Sequence, residues 1–131
     1  MGNLSHVKEV LEMARAGTVQ IDGVYEVFVN TNDAGNIPHF HFRDAVDWDK
    51  FHACIKIESA EYFAHDGKDS VLNTKQKKYL EKFMREKVSI SKYAAKFSNN
   101  WELVCFLWDM NNSNRLISDD IVQPDYRKLL Y

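Results

Sequence analysis

The sequence predicts an α+β domain: a four-stranded antiparallel meander with one helix before it and two or more helices after it, packed on the sheet. Three observations lead there. Between residues 18 and 57 apolar and polar residues alternate in short β-rich runs, whereas on either side apolar residues recur every three or four positions. The Asp22-Gly23 pair and the turn-rich run from Asn30 to Asn36 cut the alternating block into pieces of strand length. Strands grouped together and helices grouped apart are the order of an α+β fold.

Length and composition bound the rest. A chain of 131 residues fits one domain, residues 1–131, and is long enough to bury roughly two-thirds of its unfolded surface. Apolar residues at 45%, with 13% aromatics, are enough for a packed core. A net charge of −2 excludes a chain that coats itself with nucleic acid over its whole surface. No apolar run approaches the ~20 residues needed to cross a bilayer. Met1 to Lys8 lacks the charged start and apolar stretch of a signal peptide. Ser5 sits one position too early for the myristoylation pattern. Two cysteines, Cys54 and Cys105, are expected as reduced thiols in a cytoplasmic protein with no membrane partner.

The first helix is expected over about residues 4–16, because Leu4, Val7, Val10, Leu11 and Ala14 share one helical face, with Asn3 or Ser5 as cap and Gly17 as stop. Thr18 to Ile21 and Val24 to Val29 flank Asp22-Gly23, whose tolerance of positive φ suits a two-residue hairpin turn. Strand three runs from Ile37 to Arg43, with Pro38 confined to its start or to an edge because it cannot donate a ladder bond. An acidic connection, Asp44 to Asp49, leads to strand four, Phe51 to Ile57. Residues 58–72 read as irregular, anchored by Tyr62-Phe63 and turning at His65-Asp66-Gly67-Lys68.

Asn73 followed by Gln76 forms a capping-box pattern, and Tyr79, Leu80, Phe83, Met84 and Val88 make the apolar stripe of a helix over about 74–87. Residues 89–98 read as a linker carrying Tyr93 and Phe97. A last helix starts at Asn99-Asn100, sets Trp101, Val104, Cys105 and Trp108 on one face, and stops in the polar run Asn111 to Asn114. Core spacing accounts for Trp101, Trp108 and Cys105 without a binding role.

Chemistry concentrates in one place. Alternation puts His39 and His41 on one face of strand three, opposite Phe40 and Phe42, and puts His52 with Cys54 on one face of strand four. If those strands are antiparallel neighbours, the two pairs meet ~5 Å apart across the ladder. Imidazole and thiolate donors at that separation suit a tetrahedral Zn²⁺, with His65 as a further donor able to swing back from the loop. Against this stands the plain alternative of a hydrogen-bonded histidine cluster with a small core cysteine.

No His-Glu-x-x-His helix, phosphate-binding glycine loop or Gly-x-Ser-x-Gly elbow is present. A metal-activated water would need an open coordination position and a base, for which Asp44, Asp47, Asp49 and Asp66 are the nearby carboxylates. His52 and Cys54, two apart on a strand, lie parallel and do not face each other as a nucleophile and its base must. The span holding Lys75, Lys77, Lys78, Lys82, Arg85, Lys87, Lys92 and Lys96 is opposed only by Glu81 and Glu86. Its ordinary meaning is a solvated helix face. Its functional meaning is a basic patch for RNA or an acidic protein, with Lys75, Lys78, Lys82 and Arg85 as the partner-binding residues.

The run Asn36-Ile37-Pro38-His39-Phe40-His41 resembles the Pro-x-His-x-His strand of small, largely uncharacterised bacterial and phage proteins. Phe51-His52-Ala53-Cys54, Tyr62 to Lys68, Trp108 to Asn114 and Pro124-Asp125-Tyr126 share the likeness, which spans residues 18–126. Proteins of this size from mobile elements include anti-CRISPR inhibitors, some of them zinc-containing. The resemblance implies a metal-bearing α+β fold. It further implies a non-enzymatic protein that docks on a CRISPR nuclease, a type II effector, in the host cytoplasm and blocks nucleic-acid loading. The competing expectation is a metal-dependent hydrolase or toxin-like enzyme built on the same histidines.

Overall fold

A computed structural model describes residues 15–21, 24–30, 37–47, 49–63, 70–89, 91–112 and 116–128, and of residues 15–21, 91 and 92 only the backbone. The chain is α+β, built on an open antiparallel sheet. Strands β2 (Tyr25–Asn30), β3 (His39–Asp44) and β4 (His52–Lys56) lie side by side, and the backbone of β1 (Arg15–Ile21) pairs along the outer side of β2. Tyr25 pairs with Asp44 and Phe28 with His41, while His41 in turn pairs with Cys54 and Arg43 with His52.

The helix expected over about residues 4–16 lies outside the described residues except at its end, where Arg15 and Ala16 already belong to β1. Gly17 does not act as a helix stop. It pairs with Val29 inside the strand, next to a register shift between Arg15 and Gly17. A glycine in a strand commonly marks such an irregularity, and ladder pairing outweighs its weak helix-ending preference. The Asp22-Gly23 turn, the 31–36 turn cluster and the 64–69 turn lie outside the described residues.

Each strand has two unlike faces. Val27, Val29, Phe40, Phe42, Ala53 and Ile55 point one way into the main apolar core. Fully burying a side chain such as Phe40 or Phe42 contributes roughly 1.5–3 kcal/mol each. Glu26, Phe28, His39, His41, Arg43, His52 and Cys54 point the other way. On that face Glu26, His39, His41 and Arg43 are buried polar groups.

Helix α1 (Thr74–Arg85) starts as expected. Asn73 accepts from the Gln76 N–H at 2.8 Å and the Gln76 side chain accepts from the Asn73 N–H at 2.8 Å, the reciprocal capping box. It buries Leu80, Phe83 and Met84, and Tyr79 stacks on Phe42 at 6.0 Å between ring centroids. The 89–98 segment contains one helical turn, α2 (Ser91–Ala94), where the sequence suggested only a linker.

Helix α3 (Asn100–Asn111) is capped by Asn99, which accepts from the Glu102 N–H. It buries Asn100, Leu103, Val104, Leu107 and Trp108. That face is rotated from the expected one: Val104 and Trp108 are in the core, but Trp101 and Cys105 are only half-buried on its flank. A 3₁₀ turn over Tyr126–Lys128 closes the structure, with the Tyr126 N–H donating to the buried Glu81 carboxylate at 2.6 Å.

Candidate metal centre

Register decides the site. Because His41 stands directly across from Cys54, side chains two apart on the same strand, His39 and His52, fall on the same face. His39, His41 and Cys54 are each about 1% exposed. One donor atom from each lies within 4.8 Å of the others, which brings the three close enough to hold a metal ion. A tetrahedral ion with nitrogen and sulfur ligands sets its donors ~3.4–3.6 Å apart. The His41 Nδ1 to Cys54 Sγ separation is already 3.4 Å.

The proton positions follow from the partners. His39 Nδ1 donates to the Ile37 carbonyl at 2.8 Å, because a carbonyl can only accept. This fixes the tautomer, so Nε2 is the nitrogen of His39 that carries the lone pair. The Asn30 amide donates to His41 Nε2 at 3.1 Å, which leaves the proton on Nδ1, directed at His52 Nε2 2.9 Å away. A metal ligated at His41 Nδ1 would require the ring proton to sit on Nε2 instead, with the Asn30 amide turned so that its oxygen accepts from it.

Rings hold the imidazoles in place. Phe28 stacks on His41 at 4.5 Å and 9° between planes, while Phe63 and Trp108 lie against His39 at 4.8 and 5.3 Å. Phe63 reaches His39 because the chain turns sharply after β4, through Ala60 at φ 63°, and comes back to bridge Tyr62 with Ile55. The Phe63 N–H then donates to the Cys54 carbonyl at 2.9 Å. Farther along the same face Arg43 donates to Glu26 at 2.8 Å and lies over the Phe28 ring at 4.4 Å.

Of the five donors expected, His39, His41 and Cys54 converge. His52 is half-buried and touches His41 without joining the group of three, and His65 lies outside the described residues. Among the described residues no carboxylate belongs to that donor group. Asp44 and Asp47, weighed as bases, cap their own loop: Asp44 accepts from the Val46 and Asp47 N–H groups, which holds its carboxyl below the usual range. Sequence reasoning missed Asn30 and Phe28, although both stand on the histidine side of β2. Once β2 is paired with β3, strand parity alone would have placed Phe28 there.

The basic segment is less uniform than its composition. Lys75, Lys78, Lys82 and Arg85 are exposed, Lys77 is buried, and Arg85 pairs with Glu81. Arg85, Lys87 and Lys96 edge an open cleft of about 430 Å³ beside Phe97. A second cleft, of about 320 Å³ and also lined by Phe97, runs along the α3 flank past Trp101 and Cys105. No described helix is long and apolar enough to cross a membrane.

No family model, no curated protein and no solved structure matches this chain.

Proposed function

We propose that the protein is a non-enzymatic interaction protein whose sheet is clasped by one transition-metal ion, zinc by the softness of its donors, held by His39, His41 and Cys54 with His52 as fourth ligand. The observation that carries the reading is the convergence of three buried donor atoms, one of them sulfur, within 4.8 Å. His52 Nε2 lies 2.9 Å from His41 Nδ1, so a turn of its side chain is the step that would bring it to the fourth corner. The Ile37 carbonyl supports it too: it accepts from His39 Nδ1 and orients that ring as the carbonyl partner of a metal-ligating histidine does.

Elemental analysis of the purified protein tests this directly. One equivalent of zinc is expected in the wild type and well under half an equivalent in His41→Ala and Cys54→Ser. Wild-type protein that carries no stoichiometric metal, as purified or after dialysis against zinc, removes the proposal. Cobalt substitution separates the rival hydrolase reading. A four-ligand protein shell gives a tetrahedral thiolate spectrum that added anions leave unchanged, whereas a water-bearing ion changes its spectrum as anions replace the water.

The partner class comes from the resemblance alone. On that reading the rigid surface engages a type II CRISPR nuclease and blocks its nucleic-acid loading. Absence of both binding and slowed cleavage with nucleases from plausible hosts refutes that part while leaving the metal clasp standing.

A further inference from the structure

The exposed side of α1 and the cleft at its end carry an inference independent of the metal clasp. Lys75, Lys78, Lys82 and Arg85 follow one another at steps of three or four residues, so they form one stripe along the helix. The helical rise makes that stripe about 15 Å long, with a cation about every 5 Å. It runs into the cleft of about 430 Å³ that Arg85, Lys87 and Lys96 edge beside the Phe97 ring. Arg85 belongs to both, so stripe and cleft are one continuous surface.

This surface differs from an ordinary solvated helix face. Lys75 stands in the first turn, where the helix dipole disfavours a cation, and no acidic residue there offsets it. Among the described residues Lys75, Lys78, Lys82, Lys87 and Lys96 form no ion pair, whereas Arg85 is held by Glu81. A chain of net charge −2 thus keeps mutually repelling cations in a row. The walls of the cleft are also fixed. Buried Asn100 donates from its backbone N–H to the Glu86 carbonyl at 3.0 Å and from its side chain to the Phe83 carbonyl at 2.8 Å, which ties the start of α3 to the end of α1. The Lys96 N–H donates to the Tyr93 carbonyl at 2.9 Å and turns the opposite wall.

The kind of cation indicates the kind of anion. A carboxylate partner favours a free guanidinium fork, and the arginine of the stripe is already engaged by Glu81. Unpaired lysines act as point charges, which suit a phosphate chain whose charges repeat along its length. At the end of the stripe the Phe97 ring offers an apolar surface to an unstacked base.

We propose that the α1 stripe and its cleft bind the phosphodiester backbone of a single-stranded nucleic acid, with one base against Phe97. The same backbone arrives as RNA or as DNA.

Fluorescence anisotropy with a labelled oligouridylate of about twelve nucleotides tests this, beside the matching deoxy strand, an RNA duplex of equal length and polyglutamate. Saturable binding of at least one single strand is expected, and whichever strand binds tighter names the source. With three to four phosphates neutralised, the logarithm of affinity should fall against the logarithm of salt with a slope of about −2 to −3. The pair Lys78→Gln with Lys82→Gln on the stripe, and the pair Lys87→Gln with Lys96→Gln at the cleft, replace exposed residues. Each pair is expected to weaken binding about fivefold or more and to cut the salt slope by about 1.4, and circular dichroism confirms that each folds. The proposal is overturned if neither strand binds below millimolar protein or if the duplex or polyglutamate binds more tightly than both strands. It is overturned equally if either folded pair of variants binds as the wild type does.

Discussion

The two cysteines sit in opposite kinds of polar surroundings. Cys54 is buried in the sheet among imidazoles, which are neutral donors that can share a cation with a thiolate. Cys105 is half-buried on a helix among carboxylates, which oppose a thiolate outright. The contrast shows that a cysteine's chemistry is set by the element that presents it. A strand pair aligns side chains at fixed short spacing across a ladder, so donors can converge. A helix flank spreads its residues around a curve, so the carboxylates near Cys105 surround the thiol without pairing with it across a ladder.

The most severe test of this contrast is on the sheet side. Glu26 and Arg43 share the face with Cys54, and their side chains are only 3% and 6% exposed. Removing one partner leaves a buried charge without its counterion. Glu26→Ala is therefore expected to lower unfolding free energy by about 3–5 kcal/mol in urea titration. A loss below about 1 kcal/mol would mean that this face is wetter than the burial suggests.

Next in size is thiol reactivity. With its pKa pushed up to about 12, Cys105 stays almost wholly protonated at neutral pH. The higher nucleophilicity of the small thiolate fraction offsets part of that. Alkylation by iodoacetamide, followed by mass spectrometry, should be roughly a hundredfold slower than for an exposed model cysteine. Fast labelling of Cys105 would break the comparison on the helix side.

A smaller effect is expected at the start of α3. Asn99 caps the helix that carries the cleft, accepting from the Glu102 N–H at 2.9 Å, and Asn99→Ala should cost about 1 kcal/mol. The smallest concerns pH. Because the folded protein raises the Asp109 pKa, this group favours the fold fully below its unfolded value, near 3.8. The contribution fades as pH rises through the folded value. Asp109→Asn should flatten that limb of the stability curve by a few tenths of a kcal/mol, since partial exposure screens the effect. An unchanged slope in pH-dependent thermal melts would show that Asp109 is not perturbed.

Strand parity made the histidine face legible from sequence, because period-two alternation leaves no freedom once pairing is antiparallel. His39, His41, His52 and Cys54 fall on one face for that reason alone. The start of α1 was equally readable, since Asn73 and Gln76 close their own hydrogen bonds locally. Less was readable where the outcome depends on tertiary packing. Gly17 looks like a helix stop until β2 pairs with it. Trp101 and Cys105 share apolar spacing with Val104 and Trp108, but only the orientation of α3 against its neighbours decides which of them are covered. The cleft beside Trp101 belongs to that orientation, and its carboxylates come from both α3 and the segment that follows.

The pairing of His41 with Cys54 has a further consequence for how the chain finds its fold. Sliding β4 by one residue along β3 would turn Cys54 and His52 to the apolar side and leave Ala53 opposite the imidazoles. An ion gripping His39, His41 and Cys54 can tolerate no such slip. All three donors lie within one local hairpin, so capture needs only a short loop to close and could precede docking of the helices. The clasp would then act as a proofreader of strand alignment, rejecting misaligned hairpins before the core is built on them.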